Sequence, residues 1–147
     1  MNFRLVTFSF TALLAFQGCR TPSSNLQEVH IGAHVPDRSS FDTFLMRDLT
    51  ARLEHTHGKG LKVSYELLRA GPTQVGTGYP KYYLWVRVEM ANRTVDEGAI
   101  RVAAVERRGF EVGNFISKTE LVSSPERIEQ EFPLALKDAI RARTGAK

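Results

Sequence analysis

The chain has a single cysteine, Cys19, in 147 residues. With that thiol engaged, none is left for a disulfide, a thiolate nucleophile or a Cys-ligated metal site, so stability has to come from packing. Long apolar runs are also missing. The longest, Leu5 to Phe16, covers twelve mostly apolar residues, short of the about 20 that a membrane-spanning helix needs. Charge of one sign is scarce: the formal net charge is +4 with no dense Lys/Arg tract, which points away from nucleic acid as a partner. Ser-x-x-Lys, Gly-x-Ser-x-Gly and His-Glu-x-x-His are all absent, and the carboxylates are dispersed along the chain, with no pair whose surroundings would separate their pKa values. A non-enzymatic protein without metal or cofactor is the expectation.

What is present begins at the N-terminus. Arg4 supplies a small positive region, Leu5 to Phe16 an apolar stretch, and Gly18-Cys19 the close, the layout of an export signal. The stretch Leu14-Ala15-Phe16-Gln17-Gly18-Cys19 resembles the lipobox of bacterial lipoprotein precursors, in which a small residue precedes a cysteine that is lipidated before cleavage on its N-terminal side. Ordinary signal-peptidase cleavage wants small residues at minus one and minus three, and Phe16 or Leu13 fits poorly there. The resemblance implies acylation of Cys19 and a lipid anchor for the mature domain. It divides the chain into a cleaved signal at 1–18, a polar tether at 19–27 and one domain at 28–147. It also implies a bacterial envelope location, with the outer membrane favoured where two membranes exist, since Arg20 is not the Asp that commonly signals inner-membrane retention.

Alternation over Glu28 to Val35 predicts a first strand, with Val29, Ile31, Ala33 and Val35 on one face. Ser39 or Ser40 then caps a helix carrying Phe41, Phe44, Leu45, Leu49 and Leu53, with Gly58 as its stop. Leu61 to Leu67 predicts a second strand, and Tyr82 to Met90 a third with apolar residues on both faces. Asn92 to Gly98 is expected as a polar turn, Ile100 to Val105 as a fourth strand, Arg108-Gly109 as a reversal and Phe110 to Ile116 as a fifth strand. Ser124-Pro125 opens a last helix, which Pro133 should kink or break near Glu131. The expectation is an α+β domain: one antiparallel sheet of about five strands, with a helix before and a helix after the main strands.

That order resembles the cystatin-like architecture, a helix lying across a curved antiparallel sheet. The loop Gln74-Val75-Gly76-Thr77-Gly78 is close to the Gln-x-Val-x-Gly hairpin with which cystatins enter cysteine proteases, although Gly76 stands where the middle Val belongs. The resemblance implies protease inhibition as an alternative function, beside a small-ligand carrier or pocket enzyme. The same loop is no phosphate loop, because Thr77 occupies the place of the essential Lys. The histidines offer little for metal binding. His30 and His34 on one strand lie roughly 13 Å apart, and His55 and His57 diverge around a regular helix.

The remaining candidate surface is aromatic. Tyr83 and Trp85 share a strand face beside Arg87, with Tyr79 just before them, and such a platform suits a glycan ring, a peptide or a protein partner. If helices cover both sheet faces, Tyr83 and Trp85 are core instead. The leading expectation is an envelope lipoprotein whose partners are the bilayer, through acylated Cys19, and an envelope protein, bound by a non-catalytic periplasmic domain.

Overall fold

The computed structural model describes residues 32–76 and 78–145. The expected leader, Cys19, the tether and residues 28–31 of the expected first strand lie outside them. Within them the chain is α+β, built as a four-stranded antiparallel meander between two helical layers. Helix α1 spans Arg38–His57 and is followed by strands β1 (Lys62–Leu67), β2 (Lys81–Met90), β3 (Arg93–Val105) and β4 (Gly109–Ser117). Three short helices close the chain: α2 (Lys118–Ser123), α3 (Glu126–Glu131) and α4 (Leu134–Thr144). The strands pair in chain order, β1-β2-β3-β4.

Helix α1 buries Leu45, Leu49 and Leu53, one residue per turn, against one sheet face. Leu84, Val86 and Val88 of β2 and Ile100, Val102 and Ala104 of β3 complete that core. The next residues along β2, Tyr83 and Trp85, point the other way and meet Ile116, Leu121, Ile128, Phe132, Leu136 and Ile140. Consecutive side chains of β2 therefore serve two separate cores, which explains why neither of its faces is polar. Gly58 ends α1 at φ 95°, a conformation that suits glycine.

Three expectations need correction. Among the described residues the sheet has four strands, not the expected five, and residues 32–34 form a turn of helix and not the end of a strand. The His34 carbonyl there accepts from Arg107 N–H at 2.9 Å, a bond to a turn and not to a neighbouring strand. Residues 92–98 are not a polar turn. Ala91 and Asn92 alone reverse the chain, at φ 49° and 61°, and β3 starts at Arg93. Gly98 is there for close approach, since an added Cβ would sit 2.2 Å from the Ile116 carbonyl oxygen. Finally, the C-terminal region is three helices. Ser117 caps α2 by accepting from Glu120 N–H, and the expected break at Pro133 separates α3 from α4.

Candidate functional surface

The aromatic platform is not a surface. Tyr83 and Trp85 are 5% and 8% exposed, covered by α2, α3 and α4, with Phe132 edge-on to Tyr83 at 6.2 Å. Alternation identified their shared face correctly, but it carries no signal for what lies above that face. Arg87 stays at the surface and reaches Glu97 across the β2–β3 pair at 3.6 Å. Glu97 also takes the Lys118 ammonium at 2.8 Å. The Lys118 hydrogen bond holds the Glu97 carboxyl below its usual range, outweighing its partial desolvation. Arg87 is thus part of a charge network that fastens α2 to the sheet. Tyr79 alone of the four remains an exposed aromatic, at 38%, on the loop before β2.

The structure instead gathers a different set of residues where the described chain begins. The β3–β4 turn holds Glu106 and Arg107 at φ 48° and 61°, a region non-glycine residues rarely occupy. Arg107 is kept there by its N–H bond to His34 and by a salt bridge from its guanidinium to Asp37. Asp37 occupies the N-cap position of α1 yet makes no capping bond with its side chain. No acidic residue stands in the first turn of α1, and exposed Arg38 opens it, a cation at the positive end of the helix dipole. The Tyr79 ring meets His34 edge-on at 5.0 Å. Beside it the loop after β1 is pinned by paired backbone bonds between Thr73 and Lys81, 2.8 and 2.7 Å. The loop tip carries Val75, 88% exposed.

A clamp steadies this end. Arg47 donates to Asp48 at 2.7 Å and to the Arg108 carbonyl at 3.0 Å, while Asp48 accepts from Phe110 N–H at 2.7 Å. Burial raises the Asp48 carboxyl, but the Arg47 and Phe110 hydrogen bonds outweigh it and leave it below its usual range. Gly109 makes room for the clamp, because a Cβ there would lie 2.7 Å from Asp48 Oδ2. Alongside, on the sheet face that α2–α4 leave partly open, Lys81, Arg101, Ala103, Glu111 and Gly113 line a shallow trough of about 140 Å³. A bulge between Ile100 and Val102 sets Arg101 opposite Gly113 and Asn114.

No group of three or more His, Cys, Asp or Glu among the described residues is arranged to hold a metal ion. His57, half of one histidine pair in the sequence, fastens the end of α1: its Nε2 lies 3.1 Å from Asp96 Oδ2 and its Nδ1 3.2 Å from the Leu53 carbonyl. His34 lies in the helical turn at 32–34 and not on a strand, so the strand spacing of roughly 13 Å does not apply to it, and His30 lies outside the described residues. The Gln74 amide donates to the Gly78 carbonyl at 2.8 Å, which ties the loop before β2 to itself. Two signals for the gathered end were present in the sequence: a cation at the start of a helix, and Glu-Arg-Arg-Gly at a reversal. Periodicity registers neither.

No family model, curated protein or solved structure matches this chain. None of the described helices is long and apolar enough to cross a membrane.

Proposed function

We propose that the protein is a bacterial envelope lipoprotein whose α+β domain is a non-catalytic binding or accessory module, held at a bilayer by acyl chains on Cys19 and facing the periplasm. The observation that carries this reading is the leader itself, an apolar stretch closing on Gly18 and the chain's single cysteine. Each buried CH₂ of an acyl chain adds roughly 0.8 kcal/mol, so several chains together hold a domain almost permanently. The mechanism is tethering. Confinement to a surface raises the effective concentration of the domain toward other membrane-bound components without any new contact. The partner class that fits is an envelope protein met at a surface that carries charged groups, such as Lys81, Arg101 and Glu111 along the trough beside β3.

In-cell crosslinking of the tagged chain, run beside Cys19→Ala and read by mass spectrometry, tests the reading. An envelope complex captured by the wild type and lost with Cys19→Ala supports it. The same complex at the same yield with both chains contradicts it. One observation favours a second reading, a cystatin-type wedge: Val75, in the loop that resembles the inhibitor hairpin, is 88% exposed. Inhibition of a papain-type protease by the purified chain, abolished by Val75→Asp, would establish that reading instead.

A further inference from the structure

We propose that the domain end bearing Arg38, Arg107, Arg108, Val75 and Tyr79 rests on the anionic surface of the bilayer, so that the domain is oriented by its own protein surface as well as held by its lipid. The inference builds on acylation of Cys19 and adds an orientation that tethering alone does not give.

Three features meet at this end. The first is the chain path. The described chain enters here, His34 being bonded to Arg107 and α1 starting at Arg38. Twelve residues lie between Cys19 and Gly32, and the stretch spans at most about 45 Å when fully extended. With Cys19 acylated, this end is the one that the tether joins. The second feature is charge. Arg38 opens α1 just after the Asp37 N-cap, Arg107 bridges to Asp37, and Arg108 follows in the β3–β4 turn, so the cations outnumber Asp37 and Glu106 here by one. Arginines beside an anionic leaflet gain from its surface potential within a Debye length. The third feature is apolar. Val75 and Tyr79, 88% and 38% exposed, lie on the loop before β2, and the Tyr79 ring meets His34, whose carbonyl binds Arg107 N–H; an aliphatic tip with an aromatic ring suits the headgroup boundary. The far end of the sheet also carries cations, Lys59 and Arg93, and an exposed Val95. The entry of the chain separates the two ends.

The test uses the acylated full-length product reconstituted into liposomes. Acylation consumes the native thiol, so Val75→Cys gives a unique position for a polarity-sensitive maleimide probe, and Val95→Cys gives the same at the far end. On phosphatidylethanolamine/phosphatidylglycerol liposomes the probe at 75 should shift to the blue, and the probe at 95 should keep its emission in water. The shift should vanish on phosphatidylcholine and in 0.5 M salt, which shortens screening to a few Å. Arg38→Glu combined with Arg108→Ala should lower the ratio of docked to free domain by about tenfold or more. This pair leaves the Arg107–Asp37 bridge in place, and an acid in the first turn of α1 favours the helix, so the fold is retained. A probe at 75 that stays in water while Cys19 is acylated overturns the docking surface and leaves the lipoprotein reading standing. So does a shift that survives the double substitution. If Cys19 itself takes up the probe and carries no acyl mass, the lipoprotein reading fails and the docking inference falls with it.

Discussion

Gly98 and Trp85 show how far single residues decide this fold. Gly98 lets β3 and β4 approach until an added Cβ would lie 2.2 Å from the Ile116 carbonyl oxygen and 2.8 Å from Ser117 Cα. These are backbone atoms, so nothing can swing aside. Gly98→Ala should lower stability by about 1–3 kcal/mol, seen as a lower urea midpoint at unchanged slope, and an unchanged midpoint would contradict the packing. Trp85 reads in the sequence as a contact residue and is core in the structure. Trp85→Ala should therefore cost about 3–5 kcal/mol. A variant as stable as the wild type would show that α2–α4 do not bury the ring. Two carboxylates make stability depend on acid. Asp48 and Glu97, about one fifth exposed at 21% and 23%, both have pKa values lowered in the fold. Both bind protons less readily folded than unfolded. Their contribution is fully present above the unfolded carboxyl range, near pH 4, and is lost as pH falls through the folded values. Urea midpoints at pH 7 and pH 3 should differ less for Asp48→Asn and for Glu97→Gln than for the wild type. Equal differences would mean that neither carboxylate is held by its partners.

At the scale of elements, helix α1 and strands β1, β2 and β4 were legible because their apolar residues repeat at the interval of the element, although in β1 only Val63 is buried. Leu45, Leu49 and Leu53 repeat at the helical interval and all three are buried. Strand β2 alternates between two apolar sets because each set has its own helical layer. The first half of β3 was not legible. Arg93, Thr94 and Val95 are exposed and mostly polar, and the turn before them, Ala91-Asn92, lacks the glycine that would have marked it. The expected Glu28–Val35 strand met a different obstacle: in its described part, 32–35, residues 32–34 are helical and the His34 carbonyl pairs with a turn distant in sequence. Of the candidate surface, Tyr79 remained exposed while Tyr83 and Trp85 went to the core, since a strand's alternation says which residues share a face and not whether a later helix covers it. The C-terminal helices supply that cover, and they carry a prediction. A chain ending at Ser123 bares Tyr83, Trp85 and Ile116, and the emission of its one tryptophan should move to the red with loss of cooperative unfolding. Native emission from the truncated chain would mean that α3 and α4 are dispensable to the second core.

The whole molecule is a sheet protected on both faces, with its polar interest at one end. The four-stranded meander is fastened to its helices by discrete ties: His57 to Asp96 at 3.1 Å, Lys118 to Glu97 at 2.8 Å and Arg143 to Glu66 at 2.5 Å. Two helical layers make it broader in construction than a single helix over a sheet, the arrangement that its element order resembles. The proposed tethering depends on whether residues 1–18 act as a leader ending at Cys19. The most direct measurement is the intact mass and N-terminal peptide of the protein recovered from the membrane fraction of a bacterial host, with Cys19→Ala alongside. A tethered domain requires a mature chain that begins at Cys19 and carries acyl mass, with Cys19→Ala yielding no acylated product. An N-terminus elsewhere, or a free Cys19 thiol on membrane-recovered protein, would contradict it.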